Sequence, residues 1–390
     1  MRRTMAWVCG WLVLAGGLAA EEEPAPGLQF TRIALFQDLN EGADLADINQ
    51  DGRLDIVAGR NWYASADLIP RPVRLLEDWN RYAQNCGEHA LDVNGNGWID
   101  VISIGFTTPE ISWYENPGPE GLARGWMWER HVLVDTGQQQ NEGSYLRDLN
   151  GDGVPELVIN SWNPEAPLIA WQLDRDSGEQ PTMIRHELAP RGNTHGMGFG
   201  DINGNGREDI LVGTGWFERP AEGPFSGHWK FHPDWQIRHA SCPMIVTDLD
   251  GDGRNDLIWG RGHNYGLYWW RQLEPAEDGS TRWEEHLIDD SWSQAHCLVW
   301  ADLDGDGQNE LITGKRVYGH NGADPGAEDP PCLYYYKWNP QTERFARYTI
   351  DEGHAGGGLQ IRVGDVTGND RPDVVVAGKS GTYLLVNDGF

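Results

Sequence analysis

A nine-residue acidic loop recurs seven times along the chain, starting at Asp47 (DINQDGRLD), Asp92 (DVNGNGWID), Asp148 (DLNGDGVPE), Asp201 (DINGNGRED), Asp248 (DLDGDGRND), Asp302 (DLDGDGQNE) and Asp365 (DVTGNDRPD). Oxygen-bearing side chains stand at loop positions 1, 3, 5 and 9, and glycine at position 6 in the first six copies. A hard cation such as Ca²⁺ takes six to eight oxygen ligands on a tight turn, and this pattern supplies them. The expected ligands are Asp47, Asn49, Asp51 and Asp55; Asp92, Asn94, Asn96 and Asp100; Asp148, Asn150, Asp152 and Glu156; Asp201, Asn203, Asn205 and Asp209; Asp248, Asp250, Asp252 and Asp256; and Asp302, Asp304, Asp306 and Glu310. The copies are 45, 56, 53, 47, 54 and 63 residues apart, a period that points to a propeller or a related array of short strands.

The repeat also explains the charge. Of 60 Asp and Glu, 20 occupy those loop positions, against 30 Lys and Arg in the whole chain. The acidity is therefore mainly a metal-binding feature, and the absence of a basic surplus argues against nucleic-acid binding. Residues 1–20 have two arginines, a short apolar run and small residues, the layout of a secretory signal peptide cleaved near Ala19-Ala20. No later segment reads as a membrane span, so the expectation is a secreted or periplasmic protein, with 21–27 as a linker. Four cysteines then remain, Cys86, Cys242, Cys297 and Cys332, for which three disulfide connectivities are open.

Each loop lies between an apolar strand (GADLADIN, CLVWADLD) and a second one (DIVAG, ELVIN, DLIWG). An aromatic third strand follows (ISWYEN, GLYWWRQ, LYYYKW), then an alternating fourth (WERHVLVD, MIRHELA, WEEHLIDD). Four strands per repeat predict an all-β, seven-bladed β-propeller of four-stranded blades spanning 28–390 as one domain. LQFTRIALF near residue 28 reads as a fourth strand without a blade before it, and TYLLVNDGF as a third strand without a fourth after it. One blade is thus expected to be closed by the two terminal strands. Loop and strand context resemble the FG-GAP/VCBS repeat family, whose members form Ca²⁺-stabilised propellers. The seventh copy departs from its pattern at Thr367 and Asp370, which leaves about six calcium sites.

The loops also serve as a ruler. Six residues before each first Asp stand Glu41, Cys86, Glu142, His195, Cys242, His296 and Leu359. The strand before the loop should be innermost, so these positions ring one mouth of the channel. Glu142, His195 and His296 make a His₂-carboxylate set for a single divalent metal, or a neutral histidine there acts as general base without one. His89 and His354 also lie just before loops and are expected to reach the same mouth. His131, His186, His239 and His286 read as structural residues of the fourth strand. Most of the 20 tryptophans read as packing between blades, and a few as a sugar-stacking surface. Repeat six carries a long insertion within 314–338, with Lys315, Arg316, His320 and Asp324 as polar candidates. Gly378-Lys379-Ser380 lacks the first glycine of a phosphate loop and is not read as a nucleotide site.

His296 with its strand, GKR at 314–316, HNGADPG at 320–326 and LYYYKW at 333–338 resemble the propeller domain of aldos-2-ulose dehydratase and its bacterial relatives. That resemblance implies elimination of water next to a carbonyl of a keto-sugar. His195 or His296 would take the proton, with Glu142 and a metal, or Lys315 and Arg316, holding the enolate oxygen, and His320 nearby. The other readings are a calcium-stabilised propeller that binds a glycan or protein without chemistry, and a hydrolytic or redox activity on the same scaffold.

Overall fold

The computed structural model describes residues 26–36, 38–161 and 163–390. The signal-peptide reading of 1–20 and most of the 21–27 linker lie outside them. The chain is an all-β, repeat-based propeller. Second strands such as Asp55–Ala58 (DIVA), Glu156–Asn160 (ELVIN) and Asp373–Gly378 (DVVVAG) are buried at every residue. Fourth strands such as Glu129–Asp135 alternate between exposed and covered positions, as expected at a solvent-facing edge.

Each repeat folds as a four-stranded antiparallel meander, the first through Ala43–Ala46, Asp55–Ala58, Asn61–Tyr63 and Pro70–Pro72. Among the described residues there are five four-stranded sheets, one eight-stranded sheet made of two meanders, and a two-stranded ribbon, Asp78–Trp79 with Tyr82–Ala83. The eight-stranded sheet arises where Met197–Gly200 pairs in parallel with Met244–Thr247. Gly198 permits this approach, since a Cβ there would lie 2.6 Å from the Met244 carbonyl oxygen. Gln29–Phe36 pairs antiparallel with Gly381–Gly389, so the first described strand completes the last sheet.

The core lies between successive meanders. Ile48, Val57 and Trp62 of the first pack against Val101 and Tyr114 of the second. The same pattern recurs along the chain, and Ala43, Ile56 and Tyr63 of the first also pack against Val375 and Leu384 of the last. No helix among the described residues is long and apolar enough to cross a membrane. All four cysteines that follow the predicted leader are buried free thiols.

Fourth-strand histidines stack on third-strand tryptophans directly across the ladder: His131 on Trp113 at 4.6 Å, His232 on Trp216 at 4.1 Å and His286 on Trp269 at 4.4 Å. Such pairs stabilise by about 0.5–1.5 kcal/mol beyond their buried area. The fourth strand of repeat four is Lys230–His232, so His232 takes the place assigned from sequence to His239. His239 lies beyond that strand, in a left-handed conformation (φ 55°), and belongs to another neighbourhood.

His89, on strand Gly87–Leu91, lines a cavity with Cys86, Glu142 and Leu359 but is not part of the histidine cluster. Its Nε2 meets Ser144 Oγ at 2.9 Å across to the next meander, and it is buried. Burial pushes its pKa down to about 4. The unfolded chain binds that proton near pH 6.5 and the folded one does not, so stability is lost as pH falls from 6.5 toward 4. Relative to His89→Gln, the wild type should lose about 2 kcal/mol of unfolding free energy between pH 7 and pH 5. Urea unfolding at both pH values measures this; an unchanged difference would mean that the folded protein binds the proton.

Candidate functional site

In an antiparallel meander the start of the first strand and the end of the second lie side by side. Ala295 pairs with Lys315, Gly143 with Asn160, and Gln360 with Ala377. One mouth therefore collects two sets of residues: those that open the first strands, and those in the turns after the second. The acidic loops join the opposite ends of these strands, away from that mouth.

Of the first set, Glu142, His195 and His296 come together. Glu142 Oε2 is 3.3 Å from His195 Nε2, and Glu142 Oε1 is 3.4 Å from His296 Nε2. The second set adds His263, from the turn between Asp256–Gly260 and Tyr265–Leu273. His263 Nε2 faces His195 Nε2 at 3.0 Å. Glu142, His195, His263 and His296 are all buried, and their ligand atoms all lie within 4.8 Å of one another. Gly262 makes room for the rings, since a Cβ there would be 2.9 Å from His296 Cδ2 and 3.2 Å from His195 Cε1.

The tautomers are fixed by what lies behind the rings. His195 Nδ1 donates to the Ala240 carbonyl oxygen at 2.7 Å. His263 Nδ1 donates to Asp324 Oδ2 at 2.8 Å. Were both rings neutral, the two Nε2 atoms would present lone pairs to each other, a repulsion relieved by a proton on one of them, which Glu142 Oε2 at 3.3 Å would accept from His195, or by a cation between them. Two nitrogens about 2.1 Å from one ion and about 90° apart are about 3 Å from each other, the separation seen here. His296 is fully buried, and among the described residues its ring nitrogens make no hydrogen bond of ordinary geometry, Glu142 Oε1 lying 3.4 Å from Nε2. Burial lowers its pKa to about 4, with Arg316 adding to the effect, and lowers His263 further, so both are neutral at pH 7. A carboxylate behind a metal-facing histidine, as Asp324 stands behind His263, is a recurrent support in metal sites.

Arg316 sets the charge of the mouth. It is buried, donating from Nη1 to Glu142 Oε1 at 2.5 Å and from Nε and Nη2 to Glu41 at 2.7 and 3.1 Å. Lys379, from the corresponding turn of the last repeat, lies 3.2 Å from Glu41 Oε2 and over the Tyr82 ring. Burial alone would raise both carboxyls. Arg316 outweighs it, aided by Lys379 at Glu41 and by the histidines at Glu142. Glu41 is held at about 2, and Glu142 well below the usual carboxylate range.

The structure divides the remaining sequence candidates. His320 lies at the mouth: its Nδ1 meets Asp324 Oδ1 at 2.8 Å, its ring stacks on His263 at 4.0 Å, and its side chain is 45% exposed. Lys315 does not join the cluster. Successive residues of a strand point to opposite sides, and Lys315 Nζ turns under the insertion to Ser293 Oγ at 2.9 Å and the Gly326 carbonyl oxygen at 2.5 Å. Cys86 and Cys242 are buried thiols whose pKa burial raises. His354 is exposed beside Glu352. His239 comes within 5.4 Å of the His195 ring, centroid to centroid. Sequence reading missed His263, although a Gly-His-Asn tripeptide occurs at 262–264 and again at 319–321.

Three stretches of the chain, 92–159, 148–212 and 248–313, match the FG-GAP-like repeat. Among solved structures, a virginiamycin B lyase from Staphylococcus aureus shares the fold with a TM-score of 0.50 and 10% identity, over 92% of this chain and 99% of that one. A lectin from Agrocybe aegerita that recognises non-reducing terminal N-acetylglucosamine is 17% identical, over 89% and 90% of the two chains, with a TM-score of 0.48. An auxiliary nutrient binding protein from Bacteroides ovatus is 10% identical, over 93% and 78%, with a TM-score of 0.41. No curated protein matches the chain. The likeness is one of fold: a propeller built of FG-GAP-like repeats.

Arg316→Met would leave Glu41 and Glu142 buried without their shared counter-charge. A loss of about 3–5 kcal/mol is expected in urea unfolding. Arg316→Lys keeps the charge but cannot fork to both carboxylates, and should fall between the two.

Proposed function

We propose that the chain is a secreted or periplasmic seven-bladed propeller whose working centre is one divalent transition-metal ion held by Glu142, His195, His263 and His296. The observation that carries this reading is the opposed pair of Nε2 atoms on His195 and His263, with both Nδ1 atoms already committed and a carboxylate alongside. Three neutral imidazoles and one carboxylate suit zinc, manganese or iron better than calcium. Seven blades are supported by the seven meanders, by the clusters between successive ones, and by packing of the first against the last. The first six acidic loops are proposed as structural Ca²⁺ sites. In the sixth, Lys337 Nζ stands among Asp304, Asp306 and Glu310, so calcium there must displace an ammonium group.

The proposed activity is elimination next to a carbonyl of a sugar. Bound at the centre, the ion would polarise the carbonyl oxygen and stabilise negative charge developing there. Glu142 is kept ionised as a ligand by Arg316. His320 replaces His195 and His296 as the base, because its ring is exposed at the mouth whereas theirs are buried in the ligand set. Asp324 holds the His320 Nδ1–H, leaving Nε2 to take the proton from the carbon next to the carbonyl and to return it to the β-hydroxyl, whose C–O bond breaks as water leaves and the C=C bond forms.

Metal analysis after dialysis should find one transition-metal equivalent per chain in addition to calcium. His263→Ala should lose the transition metal and leave calcium in place; a wild type that retains calcium alone would sink the metal centre. On a keto-sugar substrate, with enone absorbance as the readout, His320→Ala should retain the ion and lose about 100-fold or more in kcat. Metal-loaded wild type that binds such sugars without forming an enone would leave a binding protein instead.

A further inference from the structure

A cavity of about 710 Å³ opens beside the cluster, lined by His263 and His320 at its inner end and by Trp259, Trp270, Arg238 and Arg261 farther out. The two arginines are exposed, and neither forms an ion pair among the described residues. The cavity has two acids of its own, and both are engaged: Glu285 accepts from Trp270 Nε1 at 2.9 Å, and Asp324 is shared by His263 and His320. Arg261 is further positioned by its guanidinium lying 5.4 Å over the Tyr268 ring. The wall thus offers two guanidinium groups and a half-buried indole, and its two carboxylates, Glu285 and Asp324, form no ion pair with either guanidinium.

We propose that the ligand of this cavity is an acidic sugar whose carboxylate is read by Arg238 and Arg261, as in a hexuronic acid unit of a polysaccharide. Its location rests on the metal-centre reading of the preceding subsection; its charge rests on the arginines alone. The guanidinium fork matches a planar carboxylate, and a sugar ring lays its C–H face on an indole such as Trp270. The negative charge of the whole protein would repel such a ligand elsewhere, so the local cations also select where it lands.

Calorimetry on the full chain tests this with trigalacturonic acid and its neutral counterpart, galactotriose. The acidic trisaccharide should bind about tenfold tighter or better, and the preference should shrink at high salt. Arg238→Ala/Arg261→Ala should abolish the preference, chiefly through weaker binding of the acidic trisaccharide. Arg238→Ala alone, at an exposed position that folding does not need, should show a partial loss. Equal binding of both sugars by the wild type, or a preference that survives the double substitution, overturns the proposal. Tighter binding of a sulfated galactotriose than of the uronate overturns the carboxylate assignment. Loss of the metal centre with the acid preference intact would remove the proposed function and keep this inference; a bound metal with no charge preference would do the reverse.

Discussion

One buried guanidinium orders the mouth of this propeller. Arg316 comes from the sixth repeat, Glu41 from the first and Glu142 from the third, so a single side chain ties three separate parts of the chain together. Removing these charges from water is costly, and such a bridge is weak support for stability taken alone. Its larger effect is on specificity of arrangement. It fixes the rotamer and the ionisation of Glu142, and Glu142 fixes where His195 and His296 can stand. The histidine cluster depends on a contact that is not part of it.

The fold was legible because its signal repeats. Buried second strands, aromatic third strands and alternating fourth strands each recur with the loop, and every copy reinforces the others. The site was half legible for the same reason. Glu41, Glu142, His195 and His296 stand at a fixed distance from each loop, so counting found them. His263 and Lys379 come from turns after second strands, whose positions shift with strand length, so no fixed count reaches them. They could have been found from topology, since an antiparallel pair returns to the mouth it left. Arg316 and Lys315 show what remains hidden: adjacent residues at a strand end, pointing to opposite sides, with only the pleat to decide which one enters the site. His239 was misplaced because repeat four has a short fourth strand, which moved the stacking role to His232.

The two kinds of acid serve opposite ends of the same strands. At one end the loop carboxylates accept hydrogen bonds from their own backbone, as when Asp47 accepts from Asp51 and Gly52, and so shape the turn with or without an ion. At the other end Glu41 and Glu142 are held by a cation from a distant repeat. Acidic loops are local devices that can diverge one repeat at a time, as the seventh has. The mouth is a shared device, in which a change in one repeat is felt by several others.

The strand Gln29–Phe36, which completes the last sheet, cannot pair until late in synthesis. Its partner, Gly381–Gly389, comes more than 340 residues later, which makes this the longest-range strand pairing among the described residues. During synthesis the early meanders can form and stack while this strand waits, with its hydrogen-bonding edge open to other chains. The molecule therefore passes through a stage in which most of its structure exists and its most association-prone segment is still unpaired.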